Sequence, residues 1–557
     1  MKMTGAQLII ECLLEQGVDT VFGYPGGAVL NIYDALYQNS HRLRHIMTAH
    51  EQGAAHAADG YTRSTGRTGV VIATSGPGAT NLVTGLATAH MDSIPLVAIT
   101  GNVAVDLLGR DSFQEVNITE ITKPITKFNH IVKDIRELAP TLRKAFSIAS
   151  SGRPGPVLVD VPKDITAQQY DYTPPTEALA PIPKKTDDFP GLDRLAARLE
   201  KAERPLIYAG GGVILSNASP ELLALAERTD CPVCTSIMGL GGFPAGHPLS
   251  FGLIGMHGSY AAGQATQACD LLLVAGARFS DRVAGDTKRF APNAEIVHLD
   301  IDPREINKNV TCHDHIVGDL KQVLSGLNRR LSPKKRPEWV ARLTEWQAAH
   351  PQEEAPDNGC PSPAHVIRSV QAHCNPGDII VTDVGQHQMW TAQTYRFTQP
   401  RTFLTSGGLG TMGYGLGAAI GAQTAHPGRK VVLFTGDGSF HMNQNELVTL
   451  ASYDLPVVVV VMNNTVLGMV RQWQKLFYGR RFSETDPHRK TDFKRLAEAF
   501  GVAGLRVEKT EELEAVLEEA FSLRRPVVVD CHLSPDANVL PMIPPGGSAA
   551  DIVVSME

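Results

Sequence analysis

The sequence predicts an α/β protein made of three doubly wound parallel-sheet domains. Short runs of β-branched and other apolar residues alternate with helical patterns along the chain, which is typical of parallel sheets covered by helices on both faces. Two proline-rich stretches, at about 170–190 and 332–363, interrupt the alternation, and proline is excluded from the interiors of helices and central strands. They divide the 557 residues into blocks of 1–168, 190–330 and 363–540, which fits three domains.

Nine apolar runs are predicted as strands, and several of them end in Gly or Asp. They lie at 70–73, 96–100, 157–161, 206–209, 271–275, 296–299, 379–382, 431–434 and 457–462. Within the second proline-rich stretch, a short helix is predicted at about 339–349. Ligands of parallel sheets bind beyond the carboxyl ends of the strands, so binding residues are expected in the segments that follow these runs.

The composition is that of a globular protein, with 43% hydrophobic and 20% charged residues. A net charge of −7 without a long run of one sign argues against a nucleic-acid partner. The most apolar runs, such as 457–462, are far too short to span a membrane, and no cationic-then-apolar leader opens the chain. The sequence therefore predicts a cytoplasmic protein with no membrane and no nucleic-acid partner.

The eight cysteines are scattered and do not resemble a disulfide framework. Cys231 and Cys234 form a CxxC pair, but no second pair follows at zinc-ribbon spacing. The pair also lies in an apolar, strand-like run. We therefore interpret it as structural, with a metal or redox site as the alternative.

The third block carries the strongest chemical pattern. A predicted strand at 431–434 runs into Gly436, Asp437 and Gly438, and after a helical stretch the next strand leads to Asn464. The glycines let the backbone approach phosphate oxygens, and amides at the start of the helix face the anion. Asp437 and Asn464 offer the hard oxygen ligands that suit Mg²⁺ when phosphate and water complete its coordination. Together they predict a diphosphate and Mg²⁺ site and resemble the thiamine diphosphate fingerprint GDG…NN. Either fragment alone is also compatible with a turn or a loop cap.

A second glycine pattern, from Gly408 to Gly413, has the GxGxxG spacing of dinucleotide-binding loops. No acidic residue ends a strand about 20 residues later, as such a site requires, because Gly428-Arg-Lys occupies that region. We interpret the glycines as room for a loop and a helix start beside a thiamine cofactor, with Met412 as an apolar wedge beneath it. Close helix packing alone is the alternative.

Thiamine chemistry needs a carboxyl group as well as a diphosphate site. The cofactor's aminopyrimidine removes its own C2 proton once a carboxyl group on its ring nitrogen promotes the imino tautomer, and an apolar pocket favours that shared proton. Glu51 stands at the start of a predicted small-residue helix in the first block. A solvated carboxylate stabilised by the helix dipole is the alternative. His50, Glu51 and His56 do not form HExxH, which excludes a zinc protease.

The order of these motifs resembles the thiamine diphosphate enzymes of the pyruvate oxidase and decarboxylase superfamily. Within that superfamily, the chain resembles the catalytic subunits of the acetohydroxyacid synthase (acetolactate synthase) family over nearly its whole length, from about 22 to 546. The segments that carry the likeness, besides the diphosphate pattern, are His50-Glu-Gln-Gly, Ser75-Gly-Pro-Gly-Ala-Thr-Asn81, Ser112-Phe-Gln-Glu115, Gly152-Arg-Pro-Gly-Pro156, Gly255-Met-His-Gly258, Gly385-Gln-His-Gln-Met-Trp390 and Leu467-Gly-Met-Val-Arg-Gln-Trp473.

The resemblance implies a pyrimidine-binding domain, a central FAD-binding domain and a diphosphate-binding domain, in that order. It implies an acetolactate synthase reaction, in which pyruvate is decarboxylated on thiamine diphosphate. The hydroxyethyl carbanion then condenses with a second pyruvate or with 2-oxobutyrate. This is the first common step of valine, leucine and isoleucine biosynthesis.

Specific site residues follow from the same resemblance. The catalytic residues it implies are Glu51, Gln114 and Lys163, and the substrate-binding residues are Phe113, Met256, Arg282 and Trp473. A guanidinium such as that of Arg282 can grip the carboxylate of the second 2-oxo acid with two charge-assisted hydrogen bonds. Without the resemblance, Trp473 and Phe113 are also compatible with core aromatics and Arg282 with a surface ion pair.

Three cofactors are implied as well. Thiamine diphosphate would contact Gly436, Gly438, Ser439, Gln386, His387, Gly410 and Met412, and Mg²⁺ would be held by Asp437, Asn464 and Val466. FAD, required structurally but without a net redox part, would contact Arg153, Gly211, Met256, His257, Gly276, Arg278 and Asp300. From the residues alone, the central block supports only a glycine-rich nucleotide cleft.

The resemblance further implies that the active site lies between subunits of a homodimer or homotetramer, with a small regulatory subunit as a further partner. A sister enzyme is the alternative function: a pyruvate oxidase, a glyoxylate carboligase or an FAD-free catabolic synthase. The presence of Glu51 argues against a glyoxylate carboligase. The short tail after Pro545 lacks an amphipathic lipid-binding helix, which argues against an oxidase. A nucleotide-regulated binding protein without catalysis is a further alternative.

Overall fold

The computed structural model describes residues 2–173, 188–350 and 359–555 and confirms the predicted α/β architecture. Three six-stranded sheets follow one another along the chain, and all neighbouring strands within them are parallel. The inner strands of each sheet are almost entirely buried, as expected when helices cover both faces of a parallel sheet. No helix in the described part of the chain is long and apolar enough to cross a membrane.

The first domain contains a sheet of order β3-β2-β4-β5-β7-β6, and β1 pairs antiparallel with β8 beside it. The strands are β1 (Lys2–Thr4), β2 (Thr20–Gly23), β3 (Arg44–Met47), β4 (Gly69–Ala73), β5 (Leu96–Asn102), β6 (Phe128–Ile131), β7 (Pro156–Pro162) and β8 (Gln169–Asp171). The helices are α1 (Gly5–Glu15), α2 (Leu30–Gln38), α3 (Glu51–Thr65), α4 (Pro77–Thr80), α5 (Val83–Asp92), α6 (Ile118–Thr122), α7 (Ile135–Ser150) and α8 (Lys163–Ala167).

The second domain has the strand order β11-β10-β9-β12-β13-β14. Its strands are β9 (Pro205–Ala209), β10 (Val233–Thr235), β11 (Ser250–Leu253), β12 (Leu271–Ala275), β13 (Glu295–Asp300) and β14 (Asp314–Val317). Its helices are α9 (Leu192–Lys201), α10 (Gly211–Leu215), α11 (Ser219–Thr229), α12 (Tyr260–Ala268), α13 (Asp281–Ala284), α14 (Leu320–Asn328) and α15 (Pro337–Ala349).

The third domain has the strand order β16-β15-β17-β18-β20-β19. Its strands are β15 (Ile379–Thr382), β16 (Phe403–Leu404), β17 (Val431–Gly436), β18 (Val457–Asn463), β19 (Ala503–Val507) and β20 (Val527–His532). Its helices are α16 (Pro363–Ala372), α17 (Gln386–Thr394), α18 (Gly415–Ala425), α19 (Asp437–Asn443), α20 (Leu447–Ser452), α21 (Gly468–Phe477), α22 (Phe493–Ala499) and α23 (Leu513–Ser522).

All nine predicted strands are present, and the helix predicted at about 339–349 is α15. The first linker was predicted to begin near Tyr170, and this boundary is wrong. Tyr170 lies in β8, where it pairs with Met3, and Tyr172 is buried in the core of the first domain. An edge strand of three residues has too short a pattern to be recognised in a sequence. Residues 174–187 and 351–358 of the two predicted linkers lie outside the described residues.

The first and third domains share one hydrophobic core. A single cluster of buried side chains includes Phe22 and Val71 from the first sheet and Leu433 and Val459 from the third. At its centre, α3 crosses α18, and small residues on both helices let their backbones approach closely. A Cβ on Gly421 would overlap the carbonyl oxygen of Ala57. This crossing fixes how the domain that carries Glu51 is placed against the domain that carries Asp437.

The close crossing makes Gly421 sensitive to substitution. We expect Gly421→Ala to destabilise the protein by about 1–3 kcal/mol, because the added methyl group overlaps backbone that neither helix can move aside cheaply. Denaturant unfolding would measure the loss. Gly428→Ala is the matched control, since its Cβ would meet nothing within 4 Å, and a change within about 0.5 kcal/mol is expected there. Equal effects of the two changes would contradict this account of the crossing.

Candidate active site

The diphosphate pattern lies at the carboxyl edge of the third sheet. In the register of β17 and β18, Gly436 pairs with Met462, so Asp437 and Asn464 leave the sheet at neighbouring positions. The amide of Asn464 donates to Oε1 of Gln386, over 3.1 Å between Nδ2 and Oε1. Gln386 begins α17, which follows β15 at the same edge of the sheet. Three strand ends therefore bring the predicted diphosphate and metal residues together.

The position and burial of Asp437 suit a metal ligand. Its side chain is almost fully buried, and burial raises its pKa to about 6. Asn464 is buried too, and its Oδ1 lies 3.4 Å from the backbone N of the buried Val466. In the described residues, no cluster of three or more His, Cys, Asp or Glu side chains could hold a metal. One carboxylate with an amide and a backbone carbonyl fits Mg²⁺, which completes its shell with phosphate and water.

The glycines of the pattern sit where a side chain would not fit. A Cβ on Gly436 would lie 2.9 Å from Nδ1 of His387, and one on Gly438 would lie 2.6 Å from Cδ2 of Leu467 and 3.7 Å from Cε of Met412. Burial lowers the pKa of His387 to about 3, so the imidazole is neutral, and its buried Nε2 has no hydrogen-bond partner in the described structure. A glycine beside a buried imidazole that has one unpaired nitrogen fits a bound ligand at this place.

The GxGxxG segment does not bind a dinucleotide through the start of α18. The buried carboxylate of Asp383 accepts from the backbone N–H groups of Gly413 and Tyr414, with N···O distances of 2.7 and 3.0 Å. These amides are therefore unavailable to a pyrophosphate. Met412 instead lies next to Gly438, and Gly410 adopts the left-handed conformation, with φ of 72°. The placement agrees with the interpretation of this loop as part of the thiamine site.

Glu51 is the first residue of α3, and its carboxylate is only 8% exposed. The solvated-carboxylate alternative is therefore wrong. Its Oε2 accepts from Nδ2 of Asn81 at 3.0 Å, and a Cβ on Gly78 would lie 3.2 Å from its Oε1. Both neighbours come from the Ser75–Asn81 segment, so this segment orients Glu51 and leaves room beside it. Such a carboxylate can offer its free oxygen to a ring nitrogen.

Arg282, Trp473 and Met256 form one cluster. The Arg282 guanidinium lies over the Trp473 ring, 5.5 Å from its centroid, and Nη1 of Arg282 is 3.8 Å from Sδ of Met256. The Arg282 side chain stays 61% exposed, with Asp281 at 3.7 Å as its acidic neighbour. The indole Nε1 of Trp473 is buried without a hydrogen-bond partner in the described structure. A cation beside an unpaired N–H donor and apolar walls can receive a small carboxylate.

Phe113, Gln114 and Lys163 lie on the first domain. Phe113 is 87% exposed, Gln114 has a positive φ of 59°, and Lys163 begins α8 with an exposed side chain. The backbone of Gln114 packs on Gly76, close to the segment that holds Glu51. Among the described residues, no hydrogen bond, ion pair or ring contact joins these three to Arg282. A single chain therefore presents the predicted site in separate parts.

A cavity of about 920 Å³ lies where the three domains meet, a size suited to a large cofactor. Five of the residues predicted to contact FAD line it: Arg153, Gly211, Gly276, Arg278 and Asp300. Met256 and His257 do not line this cavity. Met256 belongs to the Arg282 cluster, and His257 is buried, with a pKa lowered to about 4 by its burial.

Arg153, one of the residues predicted to contact FAD, already has acidic partners in this cavity. Arg153 forms an ion pair with Glu305, with 2.6 Å between Nη1 and Oε1, and lies 3.6 Å from Asp302. Oε2 of Glu305 is buried and unpaired in the described structure. The cavity thus has a polar lining with an acceptor that a nucleotide hydroxyl could satisfy, which fits a ribose-containing group.

The CxxC pair is structural, as interpreted. Cys231 and Cys234 are both free and buried, and Cys234 lies within β10. Burial raises the pKa of both thiols, so neither is a reactive thiolate at neutral pH.

Sequence reasoning missed a buried ionic network between the domains. Arg63 pairs with Asp59 and Asp92, with N···O distances of 2.5 and 2.9 Å, and Asp92 accepts from the backbone N–H groups of Gly407 and Gly408. Burial by itself would lower the pKa of Arg63, but Asp59 and Asp92 beside the guanidinium hold its pKa well above the usual value and keep it charged. Asp92, Gly407 and Gly408 line the large cavity. Arg63 lies on a helix of small residues, and the sequence around it does not indicate that its side chain is buried.

Comparison with known proteins places all three domains. Residues 3–121 match the family described as thiamine pyrophosphate enzyme, N-terminal TPP binding domain. Residues 192–327 match the central domain of the same enzymes, and residues 383–531 match their C-terminal TPP binding domain.

Full-length relatives are similar over nearly the whole chain. The probable acetolactate synthase large subunit of Methanocaldococcus jannaschii is 47% identical over 99% of this chain and 95% of its own length. The acetolactate synthase isozyme 2 large subunit of Escherichia coli is 44% identical over 100% of both chains. The acetolactate synthase large subunit of Corynebacterium glutamicum is 46% identical over 99% of this chain and 90% of its own.

Proposed function

The chain belongs to the thiamine pyrophosphate enzymes and, within them, to the acetolactate synthase large subunits, and we propose that it joins two 2-oxo acids with loss of CO₂. Pyruvate loses CO₂, and its remaining two-carbon unit adds to the ketone carbon of a second 2-oxo acid. Pyruvate as the acceptor gives 2-acetolactate, and 2-oxobutyrate gives 2-aceto-2-hydroxybutyrate, the precursors of branched-chain amino acids. The observation that carries this assignment beyond thiamine binding is the Arg282–Trp473–Met256 cluster, since a carboligase needs a receptor for a second carboxylate.

The edge of the third sheet would hold thiamine diphosphate and Mg²⁺. Asp437, Asn464 and the carbonyl of Val466 would be the metal ligands, and neutral His387 would lie beside the diphosphate. When bound, thiamine diphosphate supplies the electron sink that accepts the pair released with CO₂. Glu51 holds the proton at the pyrimidine ring nitrogen, and Asn81 fixes the carboxylate oxygen that does not take part. Met412 supports the cofactor from below.

The Arg282 guanidinium would bind the carboxylate of the second substrate, and Trp473 and Met256 would surround its alkyl group. One methylene in such a pocket is worth about 1–3 kcal/mol of discrimination. This range allows the pocket to distinguish 2-oxobutyrate from pyruvate.

FAD would occupy the large cavity between the domains. Arg153 and Arg278 are two of the four Arg and Lys side chains that line it and would meet its phosphates, and Glu305 would be the acceptor for a ribose hydroxyl. Its role would be structural, as the resemblance implies: Gly407 and Gly408 line the same cavity, are bound to Asp92 of the first domain and lead to the Met412 loop.

The separated parts of the site support an assembly of two chains or more. Phe113, Gln114 and Lys163 would complete the Arg282 cluster of a second chain, and Glu51 would meet cofactor held by that chain. Large apolar side chains stand exposed on both halves, among them Phe113, Met442 and Phe477, as expected of a surface that another copy covers. The relatives are named large subunits, so a small regulatory subunit is a further proposed partner.

Product analysis tests the function. Purified protein would be incubated with pyruvate and 2-oxobutyrate in the presence of thiamine diphosphate and Mg²⁺, with and without FAD. We expect 2-aceto-2-hydroxybutyrate, and only when FAD is present. Acetate or acetaldehyde as the main product would overturn the assigned reaction, and formation of acetolactate without FAD would overturn the proposed role of the large cavity.

A further inference from the structure

The segment before Glu51 is held by the third domain of the same chain. The backbone N–H of Ala49 donates to Oε2 of Glu446 at 3.0 Å, and that of His50 donates to Oε1 at 3.1 Å. Two positions before Ala49, the N–H of Met47 donates to the Tyr453 hydroxyl at 2.9 Å. Three backbone groups that lead into α3 are therefore bound to side chains from another domain.

The surroundings of Glu446 allow its carboxylate to bind this segment. Its side chain is fully buried, and its Oε2 also accepts from Oγ1 of Thr449 at 2.6 Å. A Cβ on Gly53 would overlap the carboxylate, so the glycine in the first turn of α3 is what lets Glu446 approach. A carboxylate that binds two successive amides at a helix start gains from charge-assisted hydrogen bonds and from the helix dipole.

Glu446 is also tied to the diphosphate pattern. The helix α19 begins at Asp437 and ends at Asn443, and a single 3-10 turn, Gln444–Glu446, follows it directly. Asn443 donates from Nδ2 to the carbonyl of Gly413 at 3.0 Å, which anchors the end of α19 to the Met412 loop. The position of Glu446 is therefore fixed by the elements that would surround the cofactor.

We propose that Glu446 is a positioning residue for the reaction: its carboxylate fixes the first turn of α3 and thereby the direction in which Glu51 presents its carboxyl group. This inference rests on the proposed function, because it takes Glu51 as the group that activates the cofactor. Glu446 does not touch the reacting atoms. It acts through the two backbone bonds at Ala49 and His50.

The test is Glu446→Gln in the full-length holoenzyme. Glutamine keeps the shape but offers one acceptor instead of two, and its NH₂ group faces a backbone N–H. We expect hydrogen–deuterium exchange at C2 of bound thiamine diphosphate to slow about 10- to 100-fold, as for a reacting group displaced by a fraction of an ångström. The amides of Ala49 and His50 should exchange faster in the cofactor-free protein. The dissociation constant for thiamine diphosphate should change less than about twofold.

Two further variants separate positioning from a general structural role. Tyr453→Phe removes the bond to Met47 alone, so it should leave C2 exchange within about twofold of the wild-type rate while the Met47 amide exchanges faster. Gly53→Ala displaces the Glu446 carboxylate from the opposite side, and it should slow C2 exchange as Glu446→Gln does. Because both changes break one contact, their effects should not add in the double variant. Gly53→Ala also decides the case if Glu446→Gln does not fold.

An unchanged C2 exchange rate in Glu446→Gln together with faster Ala49 and His50 amide exchange would overturn the proposal. A matching loss in Tyr453→Phe would do so as well, since any loosening of the segment would then suffice. The failure of the proposed function has a different signature. In that case Glu51→Gln itself would leave C2 exchange unchanged.

Discussion

Glu51→Gln will slow the reaction by about 10²- to 10⁴-fold, the usual contribution of a positioned acid–base group, while the protein still binds thiamine diphosphate. The amide cannot hold the proton that the aminopyrimidine ring needs to share. Glutamine fits the site, because it has nearly the same shape and its amide oxygen can still accept the hydrogen bond from Asn81. The loss should appear in kcat and in the C2 exchange rate of the bound cofactor rather than in the cofactor's dissociation constant.

The control for this prediction is Glu11→Gln on α1, which removes a partly exposed carboxylate that pairs with Arg42. It should change neither C2 exchange nor turnover. If Glu51→Gln released the cofactor and kept a normal exchange rate for the fraction still bound, Glu51 would be a binding group and its assigned role would be wrong.

The sequence predicted the buried parallel strands, which recur in all three domains. Buried parallel strands leave runs such as 457–462, and every such run became a strand because both faces of each sheet are covered. The pattern around Asp437 was predictable for a related reason. Its glycines and polar residues follow strand ends directly, so chain order and spatial order agree there.

The contacts between domains could not be predicted in the same way. Glu446 lies in a short 3-10 turn and its partners, Ala49 and His50, are about 400 positions away along the chain. The buried network of Arg63 depends equally on residues from distant elements. A single sequence shows such charged residues as ordinary surface groups, because what buries them is the crossing of α3 and α18.

The GxGxxG pattern shows a second limit of predicting function from motifs. Its spacing was compatible with a dinucleotide, and the residue that decides against this, Asp383, follows β15 and lies 30 positions before Gly413. A buried carboxylate on the first amides of α18 takes the place that a pyrophosphate would need. Whether a glycine-rich helix start binds an anion therefore depends on a side chain outside the motif.

Asp437→Ala will remove most of the Mg²⁺-dependent retention of thiamine diphosphate. An interaction with a charged group contributes up to about 3 kcal/mol to binding. Losing that much binding free energy corresponds to a ~100-fold weaker affinity. The cofactor-free protein should lose no stability, because burial raises the pKa of Asp437 and so disfavours the charged form in the folded state. Calorimetric titration of thiamine diphosphate at several Mg²⁺ concentrations and thermal unfolding with and without both ligands would measure the two quantities.

The matched control for Asp437 is Asp530→Asn on the neighbouring part of the same sheet edge. Asp530 is equally buried, but the protein itself pairs it, through Nδ2 of Asn463 at 2.8 Å and Nη2 of Arg506 at 3.3 Å. Its replacement should lower stability with and without the ligands alike, because it removes the buried acceptor of Asn463 and one of the acidic partners of Arg506. Asp437→Ala should lower only the stability that Mg²⁺ and thiamine diphosphate add. Equal losses in the cofactor-free state for both variants would mean that Asp437 is a structural carboxylate and that the cation is held elsewhere.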